Sequence, residues 1–192
     1  MSPRTPTQNE QIRADSKQRI MEAAFKLVAK KGYEATSIAM IAKEAGVAKG
    51  LLYNYFDSKE ELIKALVTAA MEEGDQLMGD LMSNNPRNNL KNTFKWFFIE
   101  MRERHNHWRL ITELTLKIDK FDFVHDIITT KMNEYVGMLE GQLSQMGYKD
   151  ALGEARLIAA VIDGIGLQAL MVREDYPLEE MEKYLIHKYC DE

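Results

Sequence analysis

Apolar residues recur along this chain at helical spacing. Ile20, Ala24, Leu27 and Val28 fall at i, i+4, i+7 and i+8, while Lys17, Arg19, Lys26 and Lys30 occupy other parts of the wheel. Gly32 stops this first helix, as a residue free to turn left-handed does at a C-terminus. Ser37 suits the N-cap of a short second helix, about 38–44, with Ile38, Ile41 and Ala42 inward. Gly46 breaks the pattern, and a third short helix, about 48–55, follows. Ser58-Lys59-Glu60-Glu61 reads as a capping box, in which the serine accepts from the Glu61 N–H and Glu61 reaches back to that of Ser58. The fourth helix it opens carries Leu62, Ala65, Leu66 and Ala69 on one face and runs on towards Met82. Asn84-Asn85-Pro86 marks a loop. Five further helices follow at about 88–104, 106–118, 122–146, 151–173 and 178–190, separated by residues 119–122, Gly147 and Tyr176-Pro177. Met1 to about Ala14 reads as a flexible tail. The pattern therefore predicts an all-α fold of about nine helices: a tail over 1–14, a small domain over 15–64 and a larger one over 65–192.

Composition narrows the class. The chain has 192 residues, 45% hydrophobic and 29% charged, enough for a small domain beside a larger one. No run approaches the ~18 consecutive apolar residues expected of a bilayer span, and the polar N-terminus with Pro3 and Pro6 lacks a secretory h-region. These features predict a cytoplasmic protein without a membrane partner. Cys190 is the single cysteine and has no internal partner for a disulfide. The net charge of −5 hides an asymmetry: residues 1–64 carry 11 Lys/Arg against 8 Asp/Glu, and residues 65–192 carry 14 against 22. Phosphate binding needs only a local basic surface, so the distribution favours an anionic partner at the N-terminal end.

Two short helices joined by a turn containing glycine, Ala45-Gly46-Val47, have the dimensions of a helix-turn-helix. Ile38, Ile41, Val47, Leu52 and Phe56 can pack with Phe25 and Leu27, which leaves Lys49, Gly50, Tyr53 and Asn54 outward. Lys49 and Gly50 lie in the first turn, the end that such helices insert into a major groove. Spacing alone is also compatible with an adapter module. The string is more specific. Gly32-Tyr33-Glu34-Ala35-Thr36-Ser37-Ile38, Ile41-Ala42-Lys43-Glu44-Ala45-Gly46-Val47, Lys49-Gly50-Leu51-Leu52-Tyr53-Asn54-Tyr55-Phe56 and Ser58-Lys59-Glu60-Glu61-Leu62 closely resemble the DNA-binding domain of TetR-family regulators. The likeness covers about residues 15–64; the remainder fits only in length and helical content. It implies an all-α homodimer, usually a repressor, released from a DNA operator by a small molecule.

Roles carried over by the resemblance are these. Ser37 would contact a phosphate through its hydroxyl or the helix N-terminus. Lys49 and Gly50 would sit at base edges or adjacent phosphates, Tyr53 and Tyr55 would bond phosphates, and Lys59 would pair with a phosphate. Asn54 reads as a phosphate or solvent contact. The family often has serine or threonine where Ala48 stands, and Leu51 holds a frequently polar position, where it can touch a thymine methyl or rest on a sugar. Arg4 and Arg13 in the tail read as a solvated arm, with minor-groove entry the alternative.

Eight of the seventeen aromatics lie between Leu90 and Leu139. Leu90, Phe94, Phe97 and Met101 share one helix face, as do Val124, Ile128, Met132, Tyr135 and Leu139 on another. Such stripes read as core; the resemblance adds an apolar effector pocket lined by some of Phe94, Phe98, Met101, Trp108, Met132 and Tyr135. His105 and His107 at i, i+2 on a helix point apart, which does not suit one metal ion; at a helix junction they could converge, but no further Cys/His ligand is near, and they read as surface or capping residues. Residues 157–172 leave almost no polar face, which suggests burial on two sides. The resemblance pairs this helix and the last one across a dimer interface, to which we assign Ala155, Ala159, Ile162, Gly166, Met181 and Leu185. No cofactor is expected. An enzyme is disfavoured because no nucleophile triad and no phosphate-cradling glycine loop is visible; a DNA-free all-α interaction module stays open.

Overall fold

The computed structural model describes residues 6–115 and 122–191. Among these the protein is all-α, with nine α-helices and no strand. The chain divides into two compact units, residues 1–70 and 71–192.

The first unit contains α1 (Pro6–Lys31), α2 (Ile38–Glu44), α3 (Lys49–Tyr53) and the beginning of α4 (Lys59–Asp80). Its core overlaps the set that helical spacing singles out, but on α4 Ile63 and Val67 are buried while Ala65 and Ala69 are only half-buried. Ile20, Ala24, Val28, Ile41, Leu52, Leu62 and Ile63 are completely buried, with Phe56 and Leu66 close to it. Each such large apolar side chain contributes about 1.5–3 kcal/mol through burial. Ile38, Val47 and Phe25 are only half-buried at the edge of this cluster. Gly32 ends α1 at φ 82°, donating to the Val28 carbonyl at 2.8 Å, and the buried Thr36 hydroxyl donates back to the Gly32 carbonyl at 2.9 Å.

Two local expectations need correction. The expected tail is helical from Pro6, because residues 6–14 hold good helix formers and Pro6 occupies the tolerant first turn. Gln11 bonds Asp15 across one turn at 2.9 Å, and the buried Ser16 hydroxyl bonds the Ile12 carbonyl at 2.8 Å. Residues 1–5, including Arg4, lie outside the described residues. At the start of α4, Ser58 Oγ accepts from Glu61 N at 3.0 Å as expected, but the Glu61 carboxylate accepts from Asp57 N rather than Ser58 N.

The second unit holds the rest of α4 with α5 (Pro86–Glu103), α6 (His105–Thr115), α7 (Asp122–Gln145), α8 (Ala151–Val172), a 3-10 turn at Arg173–Asp175 and α9 (Leu178–Cys190). Helix α5 is central and packs against α6, α7, α8 and α9. Asn85 caps it, accepting from Asn88 N at 3.0 Å, with Pro86 in the first turn. Its Leu90, Phe94, Phe97, Phe98 and Met101 meet Leu139 and Leu143 of α7, Ile158, Ile162 and Ile165 of α8, and Leu185 and Tyr189 of α9 in one cluster.

Helix α8 revises two readings. Ala151–Asp175 is long and apolar enough to cross a bilayer, with mean hydropathy 1.7, although its apolar residues do not form one unbroken run. Only 33% of that window is buried. The residues assigned to a dimer interface are the inward ones: Ala155, Ala159, Ile162, Gly166 and Leu185 are buried within the same unit, and Met181 is half-buried against its core. Gly166 meets the Trp108 ring of α6, and Ala155 lies in the cluster that α5, α7, α8 and α9 share. The exposed side of α8 instead carries Leu157, Leu167 and Met171, the last 73% exposed, and α9 adds Tyr184.

Candidate nucleic-acid interface and ligand site

Helix α3 spans five residues, shorter than the eight expected, because neither end is strongly capped. Ala48 occupies its N-cap in extended conformation and has no side-chain oxygen to hold the first turn, and Asn54 closes it. The turn before it is tight: Gly46 sits at φ 66°, and Val47 N donates to the Ala42 carbonyl at 2.9 Å. Fully buried Leu52 and nearly buried Phe56 fix the rotation of α3. That rotation exposes Lys49, Gly50, Tyr53 and Asn54 together, while Leu51 and Tyr55 are half-buried. Lys49 Nζ lies 6.0 Å from the Tyr53 ring centroid, so one basic and one phenolic group share the surface. Ser37 is exposed and caps α2, its Oγ accepting from Met40 N at 3.2 Å.

Lys59 departs from its expected role. Its ammonium donates to the Tyr33 carbonyl at 2.7 Å and stands 3.7 Å from the Tyr33 ring centroid. Burial lowers its pKa, against the charge of Glu34. It is half-buried and fastens α4 to the loop after α1. Conversely, Arg13 is not on a free arm: it lies on α1, with its guanidinium carbon 5.8 Å from the Tyr55 ring centroid. Lys17, one turn on, stands 5.8 Å from the Phe56 ring. The i, i+4 spacing of Arg13 and Lys17 is the signal the sequence carries for this pair, which sits on α1 and not in a tail.

In the second unit the expected ligand residues separate. Phe94 and Phe98 are fully buried, and Phe94 packs against Tyr189 of α9 with centroids 6.0 Å apart. Met101 is buried and Met132 is 37% exposed. Trp108 and Tyr135 do converge, on Phe97, at 5.7 and 5.4 Å between centroids. Trp96 joins the same ring from another side at 5.2 Å. Phe97 falls on the core stripe and Trp96 off that face, so neither stands among the expected ligand residues. Burial, with a smaller effect of Asp163, pushes the Tyr135 hydroxyl far above its usual range.

No group of three or more His, Cys, Asp and Glu suited to a metal occurs among the described residues. The side chain of His107 lies outside them.

Residues 20–66 match the family described as bacterial regulatory proteins, tetR family. The HTH-type transcriptional regulator PksA of Bacillus subtilis (strain 168) is 27% identical over 174 residues, which cover 81% of this chain and 78% of PksA. In fold the chain is similar to a TetR transcription regulator from Haloarcula marismortui ATCC 43049, with TM-score 0.82 at 20% identity, covering 93% of this chain and 97% of that one. It is also similar to FadR from Bacillus subtilis in complex with stearoyl-CoA, with TM-score 0.74 at 22% identity, covering 90% and 97%. An all-α fold with this N-terminal motif and these relatives defines a DNA-binding transcriptional regulator. Over residues 20–66 the chain is similar to tetR-family regulators, and in fold it is similar to a TetR transcription regulator over nearly its whole length.

Proposed function

We propose that the protein is a homodimeric repressor that holds a palindromic operator through α3 and releases it when a small apolar or aromatic effector enters the second unit. The reading rests first on the exposed row Lys49, Gly50, Tyr53 and Asn54 above buried Leu52. Lys49 neutralises a phosphate or meets a base edge, Gly50 lets the backbone approach, and the Tyr53 hydroxyl bonds a phosphate. Tyr55, with Arg13 beside it, and Ser37 extend the phosphate row, and Leu51 rests on a sugar or thymine methyl. With Lys59 committed to Tyr33, phosphate contact falls to the other groups.

Dimerisation is supported by the outer side of α8, where Leu157, Leu167 and Met171 flank the small residues Ala160 and Gly164, with Tyr184 of α9 exposed as well. A helix apolar all round needs a second cover. A two-fold dimer that reads a palindrome presents its two copies of α3 to half-sites roughly 34–36 Å apart on successive turns of DNA. That the Bacillus subtilis neighbour is in complex with stearoyl-CoA supports a small-molecule effector. The protein then acts in the cytoplasm by binding, with no catalytic step.

A gel-shift assay on DNA flanking its gene tests the reading. Salt-sensitive binding to one site, outcompeted by specific and not by unrelated duplex and reversed by a small hydrophobic compound, is the expected result. Equal affinity for unrelated DNA would overturn it, and partition of the purified chain into vesicles would turn the α8 face towards a membrane instead.

A further inference from the structure

The effector site carries its own chemical signature, granted the ligand-responsive reading above. Trp96, Trp108 and Tyr135 surround Phe97 at 5.2, 5.7 and 5.4 Å between ring centroids. The chain has two tryptophans, and both are here. Trp108 is seated so closely on Gly166 of α8 that a Cβ there would stand 2.7 Å from its Nε1, and Trp96 lies against Gly74 of α4. The indole nitrogens of Trp96 and Trp108 and the hydroxyl of Tyr135 are all buried without a hydrogen-bond partner. Buried polar groups are normally satisfied, because leaving a donor unpaired costs its full desolvation. Three unsatisfied donors around one phenyl ring therefore ask for acceptors.

The surrounding charge says which acceptors. Residues on either side of Gly74 hold two bases: Glu73 accepts from Arg104 at 3.0 Å, and Asp75 accepts from Lys131. Each base is also bonded to a second acid, Arg104 to Glu100 at 3.2 Å and Lys131 to Glu134 at 2.7 Å. Both cations are thus doubly matched, and Asp163 adds negative charge at Tyr135. An anionic ligand would meet no spare counter-charge in these pairs and would be repelled by Asp163 at Tyr135.

We propose that the Trp96, Phe97, Trp108 and Tyr135 cluster is the recognition end of the effector site, and that it selects uncharged aromatic ligands bearing carbonyl or ether oxygens. Such a frame lies among the rings while its oxygens accept from the indole N–H groups and the Tyr135 hydroxyl.

Matched probes on the full chain test this by calorimetry and tryptophan emission: 9-fluorenone against fluorene, 2-acetylnaphthalene against 2-ethylnaphthalene, with 2-naphthoate and 2-naphthyltrimethylammonium as charged arms. The ketones should bind about tenfold more tightly than their hydrocarbon partners, shift the emission and release operator DNA. Tyr135→Phe, which keeps the ring, should reduce that preference severalfold while leaving hydrocarbon affinity unchanged. Equal binding of ketone and hydrocarbon would overturn the ligand class but leave a ligand-responsive regulator. Tightest binding of the naphthoate or the ammonium would overturn it in favour of a charged effector. Absence of binding and of DNA release across the whole set would overturn both readings.

Discussion

Replacing Gly166 with alanine separates packing on α8 from helix propensity. A Cβ at this position would stand 2.7 Å from Cε2 and Nε1 of Trp108, well inside van der Waals contact, so the indole must move. Overpacking of this kind costs about 1–3 kcal/mol. Alanine in place of glycine within a helix returns about 1 kcal/mol, so the net loss is about 0–2 kcal/mol. For a chain of this size each kcal/mol moves Tm by about 2–4 °C. A small net change would be ambiguous alone, and Gly137→Ala supplies the reference, because nothing lies within 4 Å of a Cβ there on α7. That variant should gain about 1 kcal/mol. Urea unfolding of both variants should therefore differ by about 1–3 kcal/mol, and only Gly166→Ala should shift tryptophan emission and weaken effector binding. Equal stabilisation of the two, with unchanged emission, would refute the packing of Trp108 on Gly166.

Lys49→Ala should weaken operator binding and reduce its salt slope by about one, measured by fluorescence anisotropy at several salt concentrations; Tyr53→Phe should weaken it with the slope retained. Lys59→Ala should act on the fold instead, losing about 1–2 kcal/mol through its bond to the Tyr33 carbonyl and its contact with that ring; unchanged stability with a lost phosphate contact would restore its DNA role. Leu167→Asp with Met171→Asp should raise the dimer dissociation constant at least about tenfold in sedimentation, because charge would be buried in the joint, whereas a dimer as tight as the parent would place the interface elsewhere. Burial pushes the Cys190 thiol up to about 11 from 9.0. A raised folded value means the stability held by the neutral thiol is complete below pH about 9 and is lost as pH rises towards 11. Alkylation at pH 8 should be slow in the native protein and fast after unfolding; equal rates would contradict that burial.

The first unit was the more legible part. Its elements are local: Gly32 and Gly46 need positive φ, Ser37 and Ser58 cap, and Leu52 with Phe56 sets which side of α3 faces out. Each of these is a short-range constraint that spacing reveals. The second unit was legible as helices but not as faces. Helix α8 is apolar almost all round, so periodicity could not distinguish its inward side, and small residues read as an interface are buried inside the unit, Gly166 against Trp108 of α6. The position of Trp96 against Gly74 and the ties of Lys59 to Tyr33 and Arg104 to Glu73 depend on partners distant in sequence. Pattern along one helix carries no record of them.

In-vitro selection from a random duplex library tests the central claim most directly. The account predicts enrichment of one (pseudo)palindrome with half-sites about one helical turn apart, and loss of that enrichment with Lys49→Ala. Recovery of unenriched sequence, or equal enrichment by wild type and Lys49→Ala, would contradict a dimer reading DNA through α3.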